Sequence, residues 1–413
     1  MPSPPFDVTP NWSDLTLFIP VAFAMTAMWW IPEGDKYVPA IILVMLVYFV
    51  VSKRWRSCPG ENTFVKGPFS VVITLTALVC GVGYLLKDGN ISELRTLSAL
   101  AIYSGISICM VLTHKAWRTI VLFSGAAFIA VCFYQSVING VPRAHLNYNP
   151  IPFATGLATV LISSLSLAVT SVGLKLRLIA WTTTLLLFIA LAMTGTRGVV
   201  LPVTLILGVT ITYLLFRYAS SNRITVAGVG LAIIVAIAIG GEIFEKRIDA
   251  TMSEMTLIEA GDETGSIGLR LQFWKAALKM LTLEPLTGLG ETHKPTFQHL
   301  ADQGLVNQAA ADYAPYHYHN QYLDTLVKRG VPGLLVLLGL LLTPPLLAFK
   351  YFRNNKLVLG SILGITFMYA VASLTDVPFN HPVTINIFVL SMISLLSLKS
   401  DRDFQLGLQR TTL

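Results

Sequence analysis

His319 is the residue of this sequence that is best placed to exchange a proton with a bound molecule. It lies near the end of a long polar interval, at about 242–330, in an otherwise apolar chain. The imidazole of a histidine titrates near physiological pH, so it can act as a general base. The helical pattern that starts at His319 predicts a helix that Gly330 ends, and Pro332 can begin the next helix. By helical spacing, His317 should face in another direction. The alternative is that His319 only caps or supports its helix.

Arg197 and Arg270 are candidates for binding a phosphate group. Arg197 lies in Thr194–Gly198, a very short loop whose glycines leave the backbone close to any ligand of the arginine. Arg270 lies on a predicted amphipathic helix that Ser266 could cap. The planar guanidinium group can bind two phosphate oxygens at once. The alternatives are that Arg197 contacts lipid headgroups and that the amphipathic helix lies on the membrane surface.

Metal and cofactor sites are not predicted. Several metal-ligating residue types share the polar interval, but their spacing matches no zinc or manganese pattern. The sequence also lacks a nucleophile elbow, a Walker loop and a nicotinamide fingerprint. The cysteines have neither metal-ligand nor redox spacing, and we interpret them as small core hydrophobes. The residues considered are His293, His299, Asp312, His317 and His319, together with Cys58, Cys80, Cys109 and Cys132.

The composition predicts an all-α, polytopic membrane protein. Hydrophobic residues make up 54% of the chain and charged residues 12%, against about 25% charged residues in soluble domains. The net charge of +7 is spread over short loops, which does not favour binding to nucleic acid. Twelve apolar stretches of roughly membrane length can be placed. They lie at roughly 15–32, 37–52, 68–86, 96–112, 117–138, 151–172, 177–194, 198–217, 224–241, 333–349, 357–374 and 381–398.

The distribution of basic residues predicts the orientation of these stretches. Lysines and arginines are concentrated in alternate loops and in the C-terminal tail. This bias places both termini in the cytoplasm and the long polar interval outside. We therefore divide the chain into a bundle of nine stretches (1–241), a large external helical loop between stretches 9 and 10 that carries the site (242–330), three further stretches (331–398) and a cytoplasmic tail (399–413).

The motifs of this chain resemble those of the bacterial O-antigen ligase and polymerase superfamily of membrane glycosyltransferases. His319 and Gly330 match the ligase pattern of a histidine and a glycine separated by ten residues. Arg197 and Leu201 match its pattern of an arginine and a leucine separated by three residues, although Thr196 replaces a frequent serine. The order of the motifs, the twelve stretches and the late large loop are also similar to the family. The resembling stretches are Thr194–Gly198, Arg270–Gly290 with its Trp274, and His319–Leu323 with the following Gly330.

The resemblance implies a substrate, a reaction and a location. The donor would be a glycan on undecaprenyl diphosphate, and the acceptor would be the lipid A–core oligosaccharide. His319 would be the general base, Arg197 and Arg270 would bind the diphosphate, and Asn320 and Gly330 would support the site. The transfer would be inverting and would need no metal or other cofactor. It would take place among membrane lipids at the periplasmic face of the inner membrane.

Two kinds of alternative function remain at this point. An O-antigen polymerase or a protein O-oligosaccharyltransferase of the same superfamily would use the same donor with another acceptor. A transporter or flippase would also have twelve membrane-spanning helices. It should carry charged residues in the middle of its spans, of which this sequence has few, and repeated halves, which are not evident.

Overall fold

The structure is a computed structural model that describes residues 16–53, 56, 60–218, 252–312 and 316–398. These residues form helices joined by loops, with no β-strand among them, which confirms the predicted all-α class. Residues 252–259 are also helical. The named helices are α1 (Ile19–Met25), α2 (Tyr37–Val51), α3 (Gly60–Lys87), α4 (Ile91–Ser107), α5 (His114–Phe133), α6 (Pro150–Thr170), α7 (Leu174–Met193), α8 (Arg197–Tyr218), α9 (Ser266–Met280), α10 (His293–Asp302), α11 (Gln308–Asp312), α12 (Gln321–Tyr351), α13 (Lys356–Ala372) and α14 (Pro382–Leu396).

Seven helical segments of the described residues are long and apolar enough to cross a membrane. The predicted number of twelve is not confirmed. The first predicted stretch is interrupted, because α1 ends at Met25 and a 3-10 turn follows at Ala27–Trp29. The stretch 224–241 lies outside the described residues. Helices α13 and α14 are apolar, but they have only 17 and 15 residues. The seven segments are Gly34–Val51, Val65–Lys87, His114–Ile138, Pro150–Thr170, Leu174–Met193, Arg197–Phe216 and Gln321–Tyr351.

Helices α6 and α14 form the centre of the apolar bundle. Every residue from Pro152 to Ala168 and from Val383 to Leu396 is buried. Several hydroxyl groups on α6 donate within the helix, as Thr159 does to the carbonyl one turn earlier, whereas Ser164 donates to Ala180 O of α7. A Cβ atom on Gly156 would lie 2.2 Å from the Trp29 ring, so only glycine allows this contact. Small residues and internally bonded hydroxyls allow the surrounding helices to pack closely, as is typical of membrane bundles.

Helices α9, α10 and α11 pack around an apolar cluster of their own. The Phe273 and Phe297 rings meet at 5.9 Å between centroids, and Ala277, Ala310 and Tyr318 are completely buried in the same cluster. This cluster gives the long polar interval a folded structure beside the apolar bundle. Residues that follow position 315, such as Tyr318 and Val327, pack in the same cluster.

The predicted cap of α9 is wrong. Ser266 is the first residue of the helix, and Gly265 is the N-cap, without a side-chain hydrogen bond. The carboxylate of Glu254 accepts the hydrogen bond of the Ile267 N–H group at 2.7 Å instead. A helix N-terminus favours a carboxylate over a hydroxyl because the helix dipole is positive there. The acceptor lies in the segment before the turn, where no local sequence pattern indicates it.

Gly330 interrupts α12 as predicted, and Pro332 follows in the second part of the helix. The φ angle of Gly330 is 62° and its ψ angle is −160°, a conformation that is accessible to glycine alone. The turn after α9 docks on this break, because Leu289 N–H donates to Val327 O at 2.6 Å and Val331 N–H donates to Pro285 O at 3.0 Å. The break therefore joins α12 to the turn that follows α9.

The interpretation of the four cysteines as small core hydrophobes is correct for two of them. Cys80 and Cys132 are free and buried, as expected for small core hydrophobes. Cys109 is disulfide-bonded, so its interpretation as a simple hydrophobe is wrong. Its partner could not be found from spacing, because sequence alone does not determine disulfide pairing. Cys58 lies outside the described residues.

Gly330→Ala should destabilise the protein by about 1–3 kcal/mol, because alanine is strained at positive φ. Its Cβ atom would also lie 2.4 Å from the carbonyl oxygen of Leu286. The measurement is the Tm of the purified protein in detergent. Gly208→Ala is the matched control, since nothing lies within 4 Å of its Cβ position and its φ is ordinary for a helix. An equal Tm for the two variants would contradict the role assigned to the break.

Candidate active site

His319 lies just before α12 rather than within it. The helix begins at Gln321, and the Asn320 side chain caps it by accepting hydrogen bonds from Tyr322 N–H and Leu323 N–H at 3.1 Å. The prediction that His319 starts the helix is therefore wrong by two residues. The capping role, which was the alternative for His319, belongs to Asn320. The φ angle of His319 is 47°, a left-handed conformation that is uncommon for a residue other than glycine.

Tyr318 fixes the loop that carries His317 and His319. Its side chain is completely buried, and its hydroxyl group lies 2.9 Å from His293 Nδ1. Trp274 Nε1 donates to its carbonyl oxygen at 3.0 Å. The two flanking histidines are only half-buried and lie together, with 4.3 Å between their ring centroids. The prediction that His317 faces elsewhere is wrong, because this loop is not helical and residues two apart share one side of a non-helical chain.

Asp324 ties this loop to two other parts of the chain. Its carboxylate is fully buried and accepts a hydrogen bond from Tyr318 N–H at 3.2 Å. It also pairs with Lys328 at 3.0 Å and accepts from Asn380 Nδ2 at 2.5 Å. Several strong donors are needed to hold a charged group in a buried position. Asp324 is therefore a positioning residue for the histidine loop.

Asn320 and Gln321 join the histidine loop to the segment between α13 and α14. Gln321 N–H donates to Ser373 O at 2.8 Å, and its side-chain oxygen accepts from Phe379 N–H at 2.7 Å. Asn320 Nδ2 donates to a carbonyl of the same segment, that of Leu374, at 3.4 Å. These bonds bring the 373–380 segment against the two histidines.

Asp376 is the acidic residue that this arrangement adds to the site. Ligand atoms of His317, His319 and Asp376 all lie within 4.8 Å of one another. Asp376 is buried, and one of its carboxylate oxygens accepts from Val377 N–H at 2.8 Å. No local sequence pattern links Asp376 to a histidine, because it lies more than 50 residues from His319 along the chain.

Helix α9 places Arg270 beside this cluster. Arg270, Phe273 and Trp274 share one helix face by their spacing of three and four residues. Phe273 stacks on the His319 ring with 6.1 Å between centroids and 17° between planes. The charge of Arg270 acts on both His319 and Asp376. Among the described residues no hydrogen bond or ion pair engages the Arg270 guanidinium, so it is available to a ligand.

The side chains of His317 and His319 are neutral at physiological pH. Burial, and then the charge of Arg270, lower the pKa of His319 to about 4. Burial, and then the charge that His319 would carry, lower the pKa of His317 to about 4. Burial raises the pKa of Asp376. The Nδ1 atoms of both histidines are buried and have no hydrogen-bond partner among the described residues. Buried polar atoms in this state indicate a missing ligand or water.

Arg197 is the exposed first residue of α8. The start of α8 approaches the Asp376 segment, because a Cβ atom on Gly198 would lie 2.6 Å from the Thr375 hydroxyl oxygen. The loop before α6 contacts the turn that precedes Arg197, where Arg143 Nε donates to Thr194 O at 3.1 Å. The structure thus brings the predicted Thr194–Gly198 motif to the segment that carries Asp376.

A comparison with known families finds a match over the central part of the chain. Residues 182–338 match the model of a family described as O-antigen ligase. The resemblance to the O-antigen ligase superfamily is confirmed. A protein of Haemophilus influenzae, named only as an uncharacterized protein, is 25% identical over 353 residues, which cover 79% of this chain and 83% of that protein. The matched residues 182–338 include Arg197, Arg270 and His319, whereas Arg143 and Asp376 lie outside them.

The residues around His319 could also hold a divalent cation. His317, His319 and Asp376 supply nitrogen and oxygen ligands at suitable mutual distances. Of the residues considered in the sequence, the other three are engaged elsewhere: His293 with Tyr318, His299 with Gln303 and Asp312 with Gln308. Sequence spacing does not predict this cluster, because Asp376 lies in a segment far from the two histidines along the chain.

Asp324→Asn should lower the stability of the protein by about 3 kcal/mol, because it leaves the largely buried Lys328 without its counter-charge. The measurements are the Tm and the rate at which diethyl pyrocarbonate modifies His319, which should rise as the loop loosens. Asp302→Asn is the control, since Asp302 accepts only an exposed hydrogen bond from Gln298. Unchanged modification of His319 in Asp324→Asn would contradict the positioning role.

Proposed function

We propose that this protein is a glycosyltransferase that moves a glycan from undecaprenyl diphosphate to the lipid A–core oligosaccharide. The main support is the neutral imidazole of His319, which lies beside Arg270. Among the described residues, neither the His319 Nδ1 atom nor the Arg270 guanidinium has a hydrogen-bond or ion-pair partner. A base and a cation side by side suit a reaction that removes a proton from an acceptor and releases an anion. The match of the central segment to the O-antigen ligase family supports the choice of substrates.

In the proposed reaction, His319 takes the proton of an acceptor sugar hydroxyl. The acceptor oxygen then forms a bond to the anomeric carbon of the donor glycan, and the bond from that carbon to the diphosphate oxygen breaks. The electron pair of that bond leaves with undecaprenyl diphosphate. A single displacement of this kind inverts the anomeric centre. A positioned base of this type contributes about 10²–10⁴-fold to the rate.

The two predicted arginines neutralise the departing diphosphate. Arg270 acts electrostatically on the His319 cluster, and Arg197 starts the helix whose turn meets the Asp376 segment. Preorganised cations stabilise charge that develops in the transition state without needing to reorganise. Once His319 is protonated, a negative charge on the nearby carboxyl group of Asp376 stabilises the imidazolium. In this proposal, His319 supplies the base and the two arginines supply the positive charge.

The proposed location is the periplasmic face of the inner membrane, with both termini in the cytoplasm. It is supported by the concentration of basic residues in the opposite loops. The site lies where α12 leaves the apolar bundle and meets the cluster of α9–α11. A lipid-linked donor can reach such a position with its polyprenyl chain still in the bilayer. The same site would serve an O-antigen polymerase or a protein O-oligosaccharyltransferase, which differ only in the acceptor.

Purified protein should transfer glycan from a defined undecaprenyl diphosphate donor to lipid A–core, and His319→Ala and His319→Asn should lower the rate about 10²–10⁴-fold. Asparagine is similar in size but cannot accept the proton. His299→Ala is the control, because His299 is exposed and contacts only Gln303.

The same assay with a chelator separates a metal-free base from a metal site. We expect unchanged activity after removal of divalent cations. Loss of activity that returns on adding a metal would contradict the proposed role of His319. Transfer to another O-antigen unit or to a protein, but not to lipid A–core, would assign the alternative function instead.

Arg197→Lys and Arg270→Lys should each lower transfer strongly at equal protein levels, because lysine keeps the charge but loses the planar pair of donors. Arg95→Lys is the control, since Arg95 is exposed on α4 and donates only to Ser92. Normal transfer by either of the first two variants would remove that arginine from the proposed site.

A further inference from the structure

We propose that Arg143 is a third arginine of the donor site and that it binds a phosphate group of the lipid diphosphate next to Arg197. This inference rests on the proposed function for the identity of the donor. It concerns a residue outside the segment that matches the O-antigen ligase family.

Arg143 is held against the Thr194–Gly198 motif by both its backbone and its side chain. The N–H group of the next residue, Ala144, donates to Met193 O at 3.1 Å. The Arg143 Nε atom donates to Thr194 O at 3.1 Å. Two hydrogen bonds to adjacent carbonyls fix the position of the guanidinium relative to the turn. An arginine held in this way has lost much of its side-chain freedom before any ligand binds.

Gly195 allows the Arg143 side chain to lie across the turn. The φ angle of Gly195 is 63°, and a Cβ atom there would lie 3.4 Å from Arg143 Nε and 3.5 Å from its Cγ. A residue with a side chain would be strained at this φ angle, and its Cβ atom would lie in van der Waals contact with the arginine. The glycine of the motif therefore leaves room for an arginine from another segment, which a local sequence pattern does not reveal.

The terminal nitrogens of Arg143 are available to a ligand. A guanidinium group has five N–H donors, of which the hydrogen bond to Thr194 uses one. No ion pair or further hydrogen bond of Arg143 occurs within the part of the chain that the structure describes. The side chain is exposed. A fixed guanidinium with two free NH₂ groups can bind two oxygens of one phosphate.

The position of Arg143 fits a diphosphate better than a single phosphate. The Arg143 side chain lies over Gly195, and Arg197 is two residues after that glycine in the sequence. The two arginines therefore lie at the same turn. Gly198 at the end of that turn meets Thr375, the neighbour of Asp376. Arg143 and Arg197 therefore lie at the turn that adjoins the Asp376 segment, and Arg270 acts on the same cluster from α9. Two linked phosphates carry enough charge and enough oxygens for several guanidinium groups.

The test is the binding of undecaprenyl diphosphate by the purified full-length protein in detergent, with inorganic pyrophosphate as a competitor. Arg143→Ala should raise the Kd of the lipid diphosphate about 10- to 100-fold, as expected for loss of a charge-assisted contact. Arg143→Lys should recover part of the affinity. The salt dependence of binding should weaken in Arg143→Ala, because one cation fewer meets the phosphates. Arg95→Ala is the control and should bind as the unchanged protein does.

Transfer kinetics separate a binding role from a structural one. In Arg143→Ala the KM for the donor should rise, while the KM for lipid A–core and the Tm should stay unchanged. A lower Tm with an unchanged donor Kd would overturn the inference and leave Arg143 as a support for the turn. A rise in the KM for lipid A–core alone would overturn it too, since the ligand would then be a phosphate of the acceptor.

Failure of this inference differs from failure of the proposed function. Normal transfer and normal donor binding by Arg143→Ala would overturn the inference and leave the function intact. Binding of lipid diphosphate that depends on Arg143, without transfer to any acceptor, would support the inference and overturn the function. Absence of lipid diphosphate binding by the unchanged protein would overturn both.

Discussion

The site depends on one buried negative charge, the carboxylate of Asp324. Its oxygens are hydrogen-bonded to the loop that carries the histidines, to the lysine one turn later on α12, and to the segment before α14. An ionised carboxylate is costly to bury, and removal of any of its partners leaves that cost uncompensated. The three parts of the chain are therefore held in one arrangement by a single group. Asp324 can therefore determine the geometry of the site without contacting a substrate.

Tyr318 lies between the apolar cluster of α9–α11 and the polar site that contains the two histidines. Its ring lies in the apolar cluster of α9–α11, while the histidines on either side of it face Asp376 and Arg270. The apolar cluster thus supports the site from behind, and the stacking of Phe273 on His319 extends that support to the imidazole itself. The ring is held firmly, yet its Nδ1 atom has no partner among the described residues. Rigid placement with an unused nitrogen is what proton transfer requires.

The connection to the membrane bundle is also polar. Arg329, directly before the break in α12, forms an ion pair with the buried Glu93 of α4. Lys87 at the end of α3 pairs with Glu284 of the turn that docks on the same break, at 2.6 Å. A buried ion pair such as Arg329–Glu93 contributes little net stability, but it strongly disfavours arrangements that would leave one partner alone. Both pairs join the helices of the bundle to the part of the chain that holds the site.

The amino-acid sequence by itself determined the features that depend on neighbours along the chain. The all-α class, the break at Gly330 and the side of α9 that carries Arg270 follow from apolar periodicity, glycine conformation and helical spacing. The tertiary structure decided the composition of the site. Asp376 joins His319 through hydrogen bonds of Asn320 and Gln321 to a distant segment, and Arg143 joins the Thr194–Gly198 turn through two backbone carbonyls. His317 faces the same side as His319 because the buried Tyr318 holds their loop out of the helix. These contacts link residues far apart in sequence, and only the packed chain brings their donors and acceptors within hydrogen-bond distance.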